Sequence, residues 1–352
     1  MTPSHPPPEL DVAALADGIK AGLTRAIARG ITLVERGGAS ARCLLEQLYP
    51  AGGHARIIGF TGAPGAGKST LVDQVALSLR RRGYRVAIIA VDPTSPFTGG
   101  AILGDRIRMA GIVEDPTVFV RSMATRGALG GLARATFDAI AVLDAAQVDV
   151  ILLETVGVGQ VEVDVVRMVD SCVVVLVPGM GDAVQAFKAG ILEIGDVFVL
   201  NKSDREGAEL LARDMRLLLS LEQRREGAWE QPLIRTVAMS GEGIETLVDR
   251  LERHADFLST SGEGRARRSA VVRAGLLRII TDEIAASIVG GEAVLLEELV
   301  VQCAERKTDV YTAAARLRAQ WVAGEVSRRG EEVRGGSKVV PGAVGRCWRH
   351  GT

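Results

Sequence analysis

The chain is poor in the residues that build metal-handling and disulfide-stapled proteins. Its four cysteines, Cys43, Cys172, Cys303 and Cys347, lie far apart and make no CxxC pair. That argues against a zinc knuckle or a disulfide framework and suits a reducing compartment. Only four histidines occur, His5, His54, His254 and His350, so a His-rich catalytic metal site is hard to build. No apolar run reaches the roughly 18 residues of a membrane span, and the start MTPSHPPPEL lacks the form of a signal peptide. The expectation is a cytoplasmic protein without membrane association. An excess of charge of either sign is also missing: 42 Lys plus Arg face 43 Asp plus Glu, a formal net charge of -1. Nothing global draws the chain to nucleic acid or acidic lipid.

What is present is a globular composition, 47% hydrophobic and 24% charged over 352 residues, enough for one large domain with extensions. Residues 1–9 are Pro-rich and read as a flexible start. From 10 to 54 the apolar spacing of Ala14, Leu15, Ile19, Leu23, Ile27, Leu33, Leu44, Leu45 and Leu48 predicts two or three amphipathic helices. The stretch 55–258 alternates short Val/Ile-rich runs with helical segments. The runs are RIIGFT (56–61), RVAIIAVD (85–92), TVFV (117–120), DVILLE (149–154), CVVVLV (172–177), DVFVL (196–200) and LIRTV (233–237). Several are continuously apolar, which marks strands buried on both faces of a parallel sheet. One helix is expected between 129 and 146. After Gly243 the pattern stays helical to about Ala323, broken at STSGEG (259–264) and at Gly290-Gly291. The expected organisation is therefore an α/β domain with a mostly parallel sheet flanked by helices. N-terminal helices precede it, a C-terminal helical extension covers 259–326, and a Gly- and Arg-rich tail covers 327–352.

Gly62-Ala63-Pro64-Gly65-Ala66-Gly67-Lys68-Ser69 is a full GxxxxGKS match. It leaves an apolar strand and opens a helix, the context in which such a loop cradles phosphates. Glycines let successive N–H groups face an anion, and the helix N-terminus adds positive potential. Lys68 is expected at the β- and γ-phosphates, the Ser69 hydroxyl on Mg²⁺, and Thr70 near the α-phosphate. Three acids compete to complete the metal shell. Asp92 and Glu154 each close a strand at the sheet's C-terminal edge, where ligands bind in open α/β folds. Asp105 lies in ILGDRIRM, which reads as a switch loop.

Asn201-Lys202-Ser203-Asp204 follows the strand DVFVL. The Asp204 carboxylate can accept from both the ring N–H and the exocyclic amine of guanine, a pairing adenine does not offer. Asn201 can steady the loop, and the Lys202 stem can cover the base while its ammonium stays wet. Ala238, Met239 and Ser240, after LIRTV, are expected to close over the base edge. Taken together with the P-loop, these residues predict a Mg²⁺-dependent GTPase that binds GTP and GDP.

Glu154-Thr155-Val156-Gly157 occupies the place of a γ-phosphate sensor, with the Gly157 N–H on the phosphate. Gln160, Asp92, Asp105 and Glu154 all compete to orient the attacking water. A further segment, Pro178-Gly179-Met180-Gly181-Asp182-Ala183-Val184-Gln185-Ala186-Phe187-Lys188, combines a glycine hinge with Asp182, Gln185 and Lys188. It reads as a loop that changes with the nucleotide or touches a partner.

GFTGAPGAGKSTL, AVDPTSPFTGGAILGDRIRM, ETVGVGQ, PGMGDAVQAFKAGILEIGD and NKSD, in this order, closely resemble the GTPase chaperones of methylmalonyl-CoA mutase and related cobalamin-dependent acyl-CoA mutases. That family has also been labelled an arginine/ornithine transport kinase or ATPase. The likeness runs from about residue 12 to residue 320. It implies a P-loop core with N-terminal helices and a C-terminal dimerisation arm in a homodimer. It further implies GTP-gated delivery of adenosylcobalamin to the mutase, protection or reactivation of that mutase, and dealings with an adenosyltransferase. Carried onto this chain, Lys68 and Ser69 take phosphate and magnesium. Asp92, Asp105 and Glu154 fall in the metal and switch regions, Asp182 and Lys188 in a third switch, and Asn201 and Asp204 on guanine. The chain departs from the family where GDExQ becomes GDAVQ, with Ala183 in place of an acid, and where Gly195 replaces the usual alanine before Asp196. It has no cobalamin-binding DxHxxG pattern, so the cofactor is expected only through the partner. Methylmalonyl-CoA, isobutyryl-CoA and 2-hydroxyisobutyryl-CoA mutases all stay open as the enzyme served. The competing classes are a metallocentre-maturation GTPase and a small-molecule kinase or transport ATPase.

Overall fold

A computed structural model describes residues 11–92, 115, 117–124, 131–155, 168–179, 194–221, 227–291 and 293–334; at Asp92, Ala124, 131–133 and 325–334 the description is of the backbone. Among these residues the chain divides into two compact units, Met1–Ser269 and Ala270–Thr352.

The first unit is built on a seven-stranded sheet. Its strands are β1 Arg56–Gly62, β2 Val86–Asp92, β3 Phe119–Ala124, β4 Val150–Thr155, β5 Ser171–Leu176, β6 Val197–Leu200 and β7 Leu233–Arg235. They lie in the order β3-β2-β4-β1-β5-β6-β7, and every pairing is parallel. β4, β5 and β6 are buried at every position. This follows from their mostly apolar runs, in which only the ends carry polar residues, Glu154 and Thr155 in β4 and Ser171 in β5.

Each face of the sheet is covered by helices. On one side lie α1 Val12–Lys20, α2 Thr24–Arg36, α3 Ala39–Leu48 and α5 Gly131–Ala145. Leu15, Ile19, Ile27, Ile31, Val34, Leu44 and Leu48 share one core with Ile89, Ile151 and Leu153. The N-terminal helices therefore complete a layer of the nucleotide domain. On the other side lie α4 Lys68–Arg81 and α7 Ile244–Ser261, whose Leu71, Val75, Leu79, Leu247 and Leu251 pack on Ile58, Phe60, Leu152 and Val173. The helix α6 Ala208–Leu221 follows β6. Asp144 of α5 accepts hydrogen bonds from the N–H groups of Gly53, His54 (3.0 Å) and Ala55 (2.9 Å). One carboxylate thus satisfies three successive backbone donors at the approach to β1.

α8 Glu263–Gly291 leads out of α7 through Gly262, and the second unit contains α9 Ala293–Ala304 and α10 Val310–Arg334. α7 runs through Ser259 and Thr260, inside the expected break at 259–264, and stops only at Gly262 in the left-handed region. α10 continues past residue 326, where the tail was expected to begin. No described helix is long and apolar enough to cross a membrane.

Candidate nucleotide site

The phosphate loop leaves the C-terminal end of β1. Gly62 has φ +142°, and a Cβ there would lie 2.3 Å from the Val175 carbonyl oxygen. Only glycine lets β1 end this close to β5. Gly67 has φ +86° and caps α4 without a side chain. The first turn of α4 is thereby left without a capping side chain, as an anion cradle requires. Pro64 and Gly65 are exposed, Ala63 half-buried and Ala66 buried. Lys68 is buried, 6% exposed, and its Nζ donates to the carbonyls of Gly62 (2.7 Å) and Ala63 (3.0 Å). The loop thus folds around its own ammonium. Thr70 stands half-buried two positions into the helix.

Glu154 is buried, and its Oε1 accepts from the Ser69 hydroxyl at 2.6 Å. β4 lies directly beside β1, with Glu154 opposite Phe60. The strand register therefore delivers the carboxylate to the first turn of α4. Thr155 turns to the other face and donates to the Phe60 carbonyl (3.2 Å). Asp92 ends β2 in register with Ala124, on the far side of β4. Asp105, Gly157, Gln160, Asp182, Gln185 and Lys188 lie outside the described residues.

Asn201 joins the two predicted sites. It is 2% exposed, and its Nδ2 donates to the Ala66 carbonyl (2.8 Å). Its Oδ1 accepts from the Thr236 hydroxyl and from the Ala238 N–H, both at 3.1 Å. A Cβ on Gly67 would sit 2.6 Å from that Nδ2, so this glycine gives the amide its passage. Lys202 holds the left-handed conformation (φ +54°), and its Nζ donates to the Gly65 carbonyl (2.8 Å). Such strain in a non-glycine residue persists where its surroundings over-determine it. Asp204 is exposed beside this loop. Ser240 closes the turn after β7 on the Val237 carbonyl (3.0 Å from its N–H, 3.1 Å from its hydroxyl). Sequence reasoning missed Thr236. Its burial and its bond to Asn201 carried no signal beyond its place in LIRTV.

The hard oxygen donors Ser69 and Glu154 suit a magnesium ion. The collar of Gly62, Gly67 and Lys68 suits a polyphosphate.

A family model described as methylmalonyl Co-A mutase-associated GTPase MeaB matches residues 27–293. The chain belongs to this MeaB family of GTPases. A Pyrococcus abyssi (strain GE5 / Orsay) protein is 48% identical over 319 residues, covering 89% of this chain and 98% of that one. The mouse methylmalonic aciduria type A homolog, mitochondrial, is 34% identical over 290 residues, covering 78% and 70%. Among solved structures, a LAO/AO transport system kinase superposes with a TM-score of 0.68 at 25% identity, covering 90% of this chain and 99% of that one. The parallel P-loop sheet with helical extensions at both ends is thus the fold of a MeaB GTPase. The family places the chain as a GTP hydrolase that serves as chaperone to a cobalamin-dependent mutase.

Proposed function

We propose that this MeaB-family GTPase reads its nucleotide through one connected frame, with Lys68, Ser69 and Glu154 at the phosphate end and Asn201 and Asp204 at the base end. The observation that carries this is the Asn201 amide, bonded at once to Ala66 of the phosphate loop and to Thr236 and Ala238. Recognition of the base and the shape of the phosphate loop share that side chain. Lys68 would exchange the Gly62 and Ala63 carbonyls for phosphate oxygens. Asp204 would take the guanine N–H groups. Ser69 and Glu154 would hold Mg²⁺, which supplies positive charge at the phosphate oxygens.

The partner is a cobalamin-dependent acyl-CoA mutase. We infer that the nucleotide state gates adenosylcobalamin delivery to it, with an adenosyltransferase as the source. A homodimer fits the second unit. Val272, Leu276, Leu277, Ile280 and Ile284 of α8 are all at least 39% exposed, as are Val294, Val300 and Val301 of α9. So much exposed aliphatic surface in one unit marks an association face, and closed twofold pairing is its commonest form.

The deciding experiment measures GTP turnover with and without candidate mutases, together with pull-down under GDP and a non-hydrolysable GTP analogue. The expected result is mutase-stimulated turnover and nucleotide-dependent capture. Equal turnover and no capture in any nucleotide state would remove the chaperone reading. Phosphate transfer from ATP to an amino acid would establish the kinase alternative instead.

A further inference from the structure

Asp196 stands immediately before β6 and is gripped through every polar atom. Its carboxylate accepts from the Cys172 N–H (2.8 Å) and from both arms of Arg267, Nη1 at 2.9 Å and Nη2 at 2.7 Å. Its carbonyl accepts from Trp229 Nε1 (2.8 Å), and its N–H donates to the Cys172 carbonyl (2.9 Å). The side chain is 9% exposed. Arg267 Nη1 also donates to the Asp170 carbonyl (3.0 Å).

Arg267 belongs to the root of α8. Gly264, in the first turn, is buried, and a Cβ there would lie 2.7 Å from the Leu258 carbonyl oxygen of α7. No described residue of α8 after Gly264 is buried. A helix of 29 residues is therefore fastened near its start. The forked ion pair is the directional part of that fastening, because a bidentate guanidinium fixes plane as well as distance.

β6 connects this root to the base loop. Its four residues are at most 1% exposed, it lies between parallel partners, and Asn201 follows it directly. Close-packed strands transmit displacement instead of absorbing it. A shift of the Asn201–Asp204 loop along β6 thus arrives at Asp196, roughly 15 Å away at about 3.3 Å per residue.

We propose that the Asp196–Arg267 pair is a clasp that carries guanine-nucleotide occupancy along β6 to the root of α8. Arg267 acts as a positioning residue and touches no nucleotide. The proposal rests on the reading that guanine nucleotides bind the Asn201–Asp204 loop. When that loop is ordered on a base, β6 is seated and the clasp holds α8; when it is not, the clasp opens more often. The coupling is reciprocal, so loosening the clasp weakens nucleotide binding by the same factor.

The test is hydrogen exchange on the full chain, in wild type, Arg267→Gln and Arg267→Lys. Each is measured without nucleotide and with saturating Mg-GDP, saturation being verified by calorimetry. The expected result is that nucleotide slows exchange across 263–275 of the wild type by at least about fivefold, the low end of ordinary allosteric coupling. That ratio should collapse towards one in both variants, since lysine keeps the charge but loses the fork. A fastening without coupling would raise exchange equally in both states and leave the ratio intact, which overturns the proposal. A wild type that is saturated yet shows no change overturns it too. If calorimetry finds no guanine-nucleotide binding, the underlying site assignment falls first and the clasp with it. Arg267→Lys keeps the test decisive if the glutamine variant does not fold.

Discussion

The Ser69 hydroxyl donates to Glu154 Oε1 at 2.6 Å, joining the first turn of α4 to the end of β4. Of the acids the sequence offered for the metal, Glu154 is the one the described structure brings to the phosphate loop. A buried carboxylate against a hydroxyl is a pair of hard donors of the kind that suits a hard cation. Glu154→Gln keeps the shape and the hydrogen bond but removes the charge. The expected outcome is a turnover loss of about a hundredfold, the scale of losing one electrostatic stabiliser, with a raised Mg²⁺ requirement. Magnesium titrations of GTP hydrolysis read both. Unchanged rate and metal dependence would move the role to Asp92 or Asp105.

Asp204 is exposed next to a loop whose own backbone is fixed by Lys202 and Ser203, the latter through its N–H on the Thr236 carbonyl (3.1 Å). Its carboxylate is thus available to a ligand, and the loop has no need of it for shape. Asp204→Asn should therefore fold normally and lose discrimination. The preference for GTP over ATP should fall by roughly tenfold to a hundredfold, the worth of charge-assisted hydrogen bonds. Competition binding with the two nucleotides measures it. A retained preference would place the base elsewhere.

Much of this was legible in the sequence because burial on both faces writes itself as an unbroken apolar run, as in CVVVLV and DVFVL. Where strands carry polar side chains, the reading slipped. TVFV ends at 120, but β3 runs to Ala124 because Arg121 turns inward to Glu35 (2.6 Å) and Thr32 (3.2 Å) of α2. STSGEG read as a break. In the structure Ser259 and Thr260 bond back to the Asp256 carbonyl (2.8 and 2.9 Å) and stay helical, a local choice open to hydroxyl residues. The P-loop and NKSD are local signals and were readable. Thr236 against Asn201 and Arg267 against Asp196 were not, since those partners meet only through the sheet order.

Gly195, just before Asp196, has no room for a side chain. A Cβ there would lie 2.6 Å from Phe198 Cζ and 3.0 Å from Val174 Cγ2. Phe198 is 1% exposed and belongs to the core on the α1–α3 face, so its ring has no room to retreat. Gly195→Ala should destabilise by about 1–3 kcal/mol through overpacking, read as a lower urea midpoint at unchanged slope. Adding Phe198→Leu should return part of the loss. A neutral single substitution would show that β6 shifts freely, and would weaken its role as a rigid connector.

His254 gives the chain an acid-sensitive core. It is fully buried on α7, its Nδ1 is 2.7 Å from the Ser171 hydroxyl, and its Nε2 has no hydrogen-bond partner among the described residues. Burial lowers its pKa from the ordinary 6.5 to about 4; Asp196 opposes the shift and Arg267 adds to it. Between those values the unfolded chain takes up a proton that the native protein refuses. The contribution to stability is therefore complete above pH 6.5, declines as the pH falls towards 4, and is flat below. Its size is on the order of 3 kcal/mol. His254→Gln removes the titration. Urea unfolding at pH 7, 6, 5 and 4.5 should show a steeper loss in wild type than in the variant across that window. Parallel curves would mean that the native protein accommodates the imidazolium, with Asp196 as its counter-ion despite the grip of Arg267.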